Sequence, residues 1–190
     1  MEVLSPQYAE RLGAQTAWWK RLLDVQTPYR WNLRRLKPGR TLDIGCGIGR
    51  NLVNLDGVGV DPNQACIATA RARGLEAFLP NEFHAEAESF DSLLFAHVVE
   101  HLDAGAGHEL VSRYLLFLKP GGKVIFITPQ ELGYASDETH VRFYDFEGLQ
   151  KLSESVGLIV EKRYSFPFGR WAKSIFKYNE FVMVARKSSR

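Results

Sequence analysis

The sequence predicts an α/β fold, a mostly parallel sheet with helices on both faces. Three observations predict it. Short apolar runs alternate with helical patterns over residues 41–186, and that alternation places parallel strands under crossover helices. The glycine-rich residues 45–49 directly follow the strand-like run TLDI, as ligand loops do at the carboxyl ends of parallel strands. The length of 190 residues suits one domain that buries about two-thirds of its unfolded surface.

The elements follow in order. Ser5-Pro6 supplies an N-cap and a first-turn proline, and Leu12, Trp18, Trp19, Leu22 and Leu23 give an apolar stripe, so a helix is expected over residues 5–25. Pro28 interrupts, and RWNLRRLKPG makes a short helix ending at Pro38-Gly39. Strands are expected at residues 41–44, 57–60, 76–79, 92–96, 123–128, 159–164 and 181–186, and helices at 50–55, 63–73, 104–118 and 146–155. Residues 1–36 read as an N-terminal helical lid and 37–190 as the main domain, with a basic aromatic insertion at about 164–180.

Bulk properties exclude several classes. Hydrophobic content of 45% with 24% charged residues is that of an ordinary globular protein. A net charge of +2 makes no electrostatic case for DNA. The two cysteines, Cys46 and Cys66, form neither a disulfide framework nor a zinc-type pair. After Met1, EVLSPQYAERLG lacks a basic and apolar leader pattern, and no apolar run exceeds strand length. A cytoplasmic protein without a transmembrane segment is expected.

Glycines let a backbone turn sharply and let a ligand approach closely. A dinucleotide fingerprint would require glycine where Arg50 stands, and Asp61 closes the next strand only sixteen residues after Gly45. An NAD(P)-dependent oxidoreductase is therefore the weaker reading of this loop. The pattern present is D-x-G-x-G-x-G, at Asp43, Gly45, Gly47 and Gly49, with an acid closing the following strand.

In that form LDIGCGIGRN and GVGVDPN resemble the first two motifs of class I S-adenosylmethionine-dependent methyltransferases. FDSLLFAHVVEHL is similar to the fourth-strand motif of that superfamily, and LLFLKPGGKVIFITP to its helix, turn and fifth strand. The likeness covers about residues 36–186. It implies a Rossmann-like seven-stranded sheet whose last strand is antiparallel, with S-adenosylmethionine as cofactor. Asp61, an acceptor-only carboxylate, would take the ribose hydroxyls. Gly45 and Gly47 would let the main chain pass the ribose and methionine parts, and Asp43 would orient the amino group, directly or through water. Asn81, Glu82 and Phe83, after the third strand, are the candidates to meet the adenine. Against these roles, Asp43 and Asp61 could serve as caps or solvated acids. The helix RNLVNLDG is short for the family, which implies a trimmed edge.

A hydroxyl acceptor must lose its proton to become a nucleophile, and an unperturbed imidazole suits that task near neutral pH. His97, Glu100 and His101 stand at i, i+3 and i+4, on one face if helical. His140 follows the fifth strand, in the loop that closes over the acceptor in the family. His101 and His140 are the candidate catalytic residues. Alternatively Glu100, His101 and His140 hold a divalent ion, Mg²⁺, that binds the acceptor oxygens. His97 reads as a wall of the cofactor pocket, and Glu100 could equally orient His101. The N/D-P-P-Y/F segment of base and amide N-methyltransferases is replaced by AHVVEH. HVVEHL and THVRFYDFEGLQKLSESVGL resemble the ubiquinone-biosynthesis type of O-methyltransferase and saccharide-methylating relatives.

Trp18, Trp19, Tyr29 and Trp31 could line an acceptor pocket or simply form a buried stripe. In RYSFPFGRWAKSIFKYNEF, arginines and lysines interleave with aromatics, a composition for RNA, an acidic glycan, a membrane surface or a homodimer contact. The expected function is O-methylation of a small-molecule or saccharide hydroxyl. A quinol or phenol acceptor is the alternative, and a non-catalytic cofactor-binding module is the alternative of another class.

Overall fold

Strands form where apolar runs lie between turn residues. The computed structural model describes residues 26–189, among which are seven strands: β1 (Thr41–Ile44), β2 (Gly57–Val60), β3 (Ala77–Phe78), β4 (Phe90–Ala96), β5 (Leu118–Pro129), β6 (Leu158–Phe166) and β7 (Glu180–Lys187). Their order in the sheet is β3-β2-β1-β4-β5-β7-β6. β1, β2 and β3 pair in parallel, as do β4 and β5, whereas β7 is antiparallel to both its neighbours. This is the expected Rossmann-like α/β class, with helices on both faces. The helices are α1 (Thr27–Arg35), α2 (Gln64–Ala72), α3 (Ala104–Tyr114), the single turn α4 (Glu131–Tyr134) and α5 (Phe146–Ser155). The helix expected over residues 5–25, with Trp18 and Trp19, lies outside the described residues, as does most of the expected lid.

Two compact units divide the chain, Met1–His84 and Ala85–Arg190. In the first, all four residues of β1 are buried, as in a strand covered on both faces. Ile67 and Ala70 of α2 pack with Cys46, Leu52 and Ala77. Asn63 caps α2, its side-chain oxygen accepting from the N–H groups of Ala65 and Cys66. The helix expected at 50–55 is only a 3-10 turn, Leu52–Asn54, because Leu55 is already extended toward β2. Trp31 is exposed, with the Arg35 guanidinium 5.0 Å above its ring, so it lines no enclosed pocket here.

In the second unit, Phe95 and Phe126 stack at 5.4 Å in a core completed by Leu93, Ile125, Phe181 and Met183. Asp103 and Asp145 cap α3 and α5. β5 starts five residues before its expected beginning, since Lys119-Pro120-Gly121-Gly122 is absorbed as an irregularity in its pairing with β4. Between β6 and β7, Arg170 is bidentate on Glu131 at 2.7 and 2.6 Å and also donates to Gln130. The insertion is thus tied to α4, while Trp171 and Ile175 remain exposed. Among the described residues no helix is long and apolar enough to cross a membrane.

Candidate active site

The glycine loop leaves the end of β1 with Gly45 at φ 73°, Gly47 at φ 52° and Gly49 at φ 76°. These are left-handed conformations that side chains resist, so the glycines are required by the path of the loop. Asp61, just past β2, holds the loop in place. One carboxylate oxygen accepts from the Gly47 N–H at 2.8 Å and the other from the Asn63 N–H at 2.8 Å. Burial raises the Asp61 pKa, and these two hydrogen bonds oppose that shift. Each oxygen retains a second lone pair for a ligand donor.

Asp43, in β1, is 1% exposed, and neither of its carboxylate oxygens has a hydrogen-bond partner. Burial pushes its pKa up to about 8; the nearby Asn51 side chain works the other way and the charge of Asp61 adds to the rise. A buried acid without a partner is costly unless a cation or donor completes it. The amino group of S-adenosylmethionine is such a group, so the loop, Asp43 and Asp61 fit that cofactor. Burial also pushes the Cys46 thiol far up, with Asp43 and Asp61 adding to it, which makes that cysteine a packing residue. Asn81 is exposed in the turn after β3, where neighbouring Glu82 is paired with Arg71 at 2.7 Å.

In the second unit the expected helical face of His97, Glu100 and His101 does not exist. His97 sits at φ 58°, a left-handed break after β4, and only a 3-10 turn, Val99–His101, follows. The His97 ring lies between two carboxylates, Nδ1 at 3.3 Å from Glu100 and Nε2 at 2.9 Å from Glu180. Surrounding atoms penalise its charge, but the hydrogen bonds and charges of Glu100 and Glu180 prevail and raise its pKa to about 10. With both nitrogens protonated, His97 is an unsuitable base at neutral pH.

His101 and His140 do come together, with ring centroids 4.8 Å apart. The Nδ1–H of His101 donates to the Thr139 carbonyl at 3.1 Å, with the Thr139 hydroxyl also at 3.1 Å. That hydroxyl gives its own proton to Asp137 at 2.7 Å, so it can only accept from the ring. The Nδ1–H of His140 donates to the Tyr134 carbonyl at 2.7 Å, and the Tyr134 ring stacks on it at 5.1 Å. Carbonyl oxygens have no proton to give. The Nδ1 of each ring therefore carries a proton, assigned from these partners, which leaves Nε2 as the nitrogen that can take a proton or a ligand. Glu100 is fully buried beside them, and one donor atom from each of Glu100, His101 and His140 lies within 4.8 Å of the others.

A methyltransferase-domain family model matches residues 19–162, well over half the chain. The chain belongs to the methyltransferase-domain family. As an enzyme it is an S-adenosylmethionine-dependent methyltransferase. No curated protein matches this methyltransferase significantly. Among solved structures, a methyltransferase from Thermotoga maritima, described as a possible histamine N-methyltransferase, aligns at TM-score 0.71 and 21% identity over 94% of this chain and 98% of its own. An S-adenosylmethionine-dependent methyltransferase from Archaeoglobus fulgidus aligns at TM-score 0.63 and 19% identity, covering 88% and 99%. One from Methanosarcina mazei aligns at 0.63 and 18%, covering 80% and 93%. At these identities the likeness establishes the shared fold.

Sequence reasoning about this methyltransferase missed Glu180, whose contact with His97 joins segments 83 residues apart, and Tyr134, whose carbonyl holds His140 six residues further on. Asp137 and Thr139 carried a readable signal: an Asp two residues before a Thr is an Asx-turn pattern, and Asp137 does accept from the Thr139 N–H at 3.0 Å.

Proposed function

We propose that this methyltransferase transfers a methyl group to a hydroxyl of a saccharide or other small molecule, with a quinol or phenol as the alternative acceptor. The observation that carries the reading is the pair of imidazoles, His101 and His140, each tethered through Nδ1 to a main-chain carbonyl and each left with Nε2 as the nitrogen that can take a proton. S-adenosylmethionine would supply an electrophilic methyl carried on a sulfonium. The chain's own part is to hold that cofactor with Asp43, Gly45, Gly47 and Asp61, with Asn81 at the adenine and His97 bordering it. His101 or His140 would take the proton of the acceptor hydroxyl on Nε2, which keeps the oxygen from carrying a full positive charge. Positioning supplies much of the remaining rate.

A divalent ion on Glu100, His101 and His140 would activate the same hydroxyl, and the closeness of their donor atoms supports that second reading. Mg²⁺, the ion expected from the sequence, suits the set poorly, since it prefers oxygen ligands in an octahedron. An amine is the rival acceptor, because the Thermotoga maritima protein's description names one. The test is release of S-adenosylhomocysteine against panels of sugars, catechol-like quinols and primary amines. Turnover with hydroxyl acceptors supports the proposal, and turnover confined to the amines overturns it.

A further inference from the structure

We infer that Arg170 is a positioning residue for His140: its ion pair with Glu131 fixes the turn α4, and α4 holds the imidazole. The inference deepens the reading of the histidine pair and rests on it for its meaning in turnover. The tether itself stands on contacts within the second unit.

A single helical turn has little stability of its own, because few hydrogen bonds repay the ordering of its backbone. α4 is four residues long, and Gln130 at its N-cap makes no side-chain cap. What fixes it comes from the insertion between β6 and β7. The Arg170 guanidinium donates to both Glu131 oxygens, at 2.7 and 2.6 Å, and to the Gln130 side-chain oxygen at 3.1 Å. A planar fork on a carboxylate sets direction as well as distance, which a lysine ammonium would not do.

Main chain packs beside that pair without slack. A Cβ on Gly133 would stand 2.8 Å from the Lys177 carbonyl oxygen and 2.9 Å from Pro129 Cβ, so α4 lies directly on the backbone of the insertion. The buried Gln130 side chain accepts from the Asn179 amide at 3.0 Å, and the Gln130 main-chain N–H donates to the Asn179 carbonyl at 3.0 Å. The start of α4 is therefore anchored to the insertion at both of its neighbouring residues.

The end of α4 holds His140. The Tyr134 carbonyl accepts the His140 Nδ1–H at 2.7 Å, and the Tyr134 ring stacks on the imidazole at 5.1 Å and 16°. One hydrogen bond alone lets a ring swing about it, and the stacked ring removes that freedom. Phe143 meets the Tyr134 ring edge-on at 5.1 Å and limits its movement in turn. Both contacts to His140 come from the residue that closes α4, so a shift of α4 carries the imidazole with it. Arg170 also covers the Phe181 ring, 4.7 Å from its centroid. Methionine at 170 would preserve most of that packing while removing the ion pair.

The test compares Arg170→Met and Glu131→Gln with Arg186→Met. Arg186 pairs with Glu161 at the opposite end of the β5–β7 ladder, with the same 39% side-chain exposure as Arg170, and is the matched control. A cooperative thermal transition shows that each variant has folded. Heteronuclear NMR of the full chain reads the His140 Nδ1–H, recognised by its absence from His140→Ala. In the wild type it should exchange slowly with solvent. Exchange should quicken roughly 10-fold in Arg170→Met and Glu131→Gln and stay unchanged in Arg186→Met. A wild type without a slowed Nδ1–H, unchanged exchange in either folded variant of the pair, or equal quickening in Arg186→Met would each overturn the inference.

Turnover gives a second readout. Arg170→Met should lower kcat about 10–100-fold with the KM for S-adenosylmethionine kept, and lower it no further in a His140→Ala background. Losses that multiply in the double variant would show Arg170 acting elsewhere and overturn the inference. Untouched turnover in His140→Ala would sink the reading of His140 as proton acceptor while the exchange rates still decide the tether, so the two fail separately.

Discussion

Replacing Asp43 by Asn should flatten the pH dependence of stability of the ligand-free protein while weakening its hold on the cofactor. Asp43 is buried without a hydrogen-bond partner, and its pKa rises from 3.8 to about 8, chiefly by burial. The folded state therefore keeps a proton that the unfolded chain releases above its own lower pKa. Stability contributed by this group is full below about pH 4 and falls as pH rises toward 8, with a limiting slope of about 1.4 kcal/mol per pH unit. At pH 7 the roughly three units between the unfolded pKa and the solution weigh against the fold by on the order of 4 kcal/mol. Urea unfolding at pH 5, 6, 7 and 8 measures this directly. The wild type should lose stability relative to Asp43→Asn at about that slope, and parallel profiles for the two proteins would refute the reasoning. Cofactor binding supplies a second reading of the same group. At pH 7 an acid with a pKa near 8 is about nine-tenths protonated, and a cationic amino group placed beside it should expel that proton. Calorimetry in two buffers of different ionisation enthalpy should show close to one proton released by the wild type and none by Asp43→Asn.

Further outcomes follow from the other side chains. Asp61→Ala removes two hydrogen bonds to Gly47 and Asn63 as well as the expected ribose acceptor, and should weaken S-adenosylmethionine by about 2–4 kcal/mol in a calorimetric titration. His140→Ala should retain cofactor affinity yet lose about 10²–10⁴-fold in turnover once an acceptor is in hand; unchanged turnover would remove His140 from the mechanism. His97 should stay protonated from pH 5 to 9 in a heteronuclear NMR titration, since Glu100 and Glu180 hold its pKa near 10. Its stabilisation is fully present below the unfolded pKa and is lost as pH rises through the folded pKa of about 10, and Glu180→Gln should move the loss to lower pH.

Much of the fold was legible because local chemistry and tertiary role agree there. β1 and β2 begin and end where expected, each a short apolar run closed by a loop residue the fold needs, Gly45 or Asp61. α5 likewise starts at its Asp145 cap and spans the expected residues. Disagreement arose where a local signal had two uses. The Pro-Gly-Gly of β5 reads as a turn but is accommodated within the strand, and RNLVNLDG has a helical pattern but too few residues before β2 to build more than a 3-10 turn. At the site, donor atoms of Glu100, His101 and His140 lie close together, although His97, Glu100 and His101 share no helix. The tethering of His97 to Glu180, 83 residues away, left no trace in either local sequence.

Among the described residues, buried side-chain oxygens without hydrogen bonds occur at two carboxylates, Asp43 and Glu100. Folded chains rarely leave such groups unsatisfied, and a sequence optimised for stability alone would replace them by amides or apolar residues. Both lie where the sequence marks a ligand: one under the glycine loop, one beside the histidine pair. The other buried acid of the loop, Asp61, shows the contrast, since main-chain N–H groups of Gly47 and Asn63 satisfy it and it shapes the loop whether or not a ligand is bound. Glu100 faces the protonated His97 ring, 3.3 Å from one of its oxygens, whereas both Asp43 oxygens lack a hydrogen-bond partner. Glu100 thus stands beside a cation of the fold's own, His97, while Asp43 is completed if a cation arrives with function, the ammonium group of the cofactor. The ammonium-bearing cofactor should therefore raise the unfolding temperature of the wild type more than that of Asp43→Asn, and equal shifts would remove Asp43 from cofactor binding.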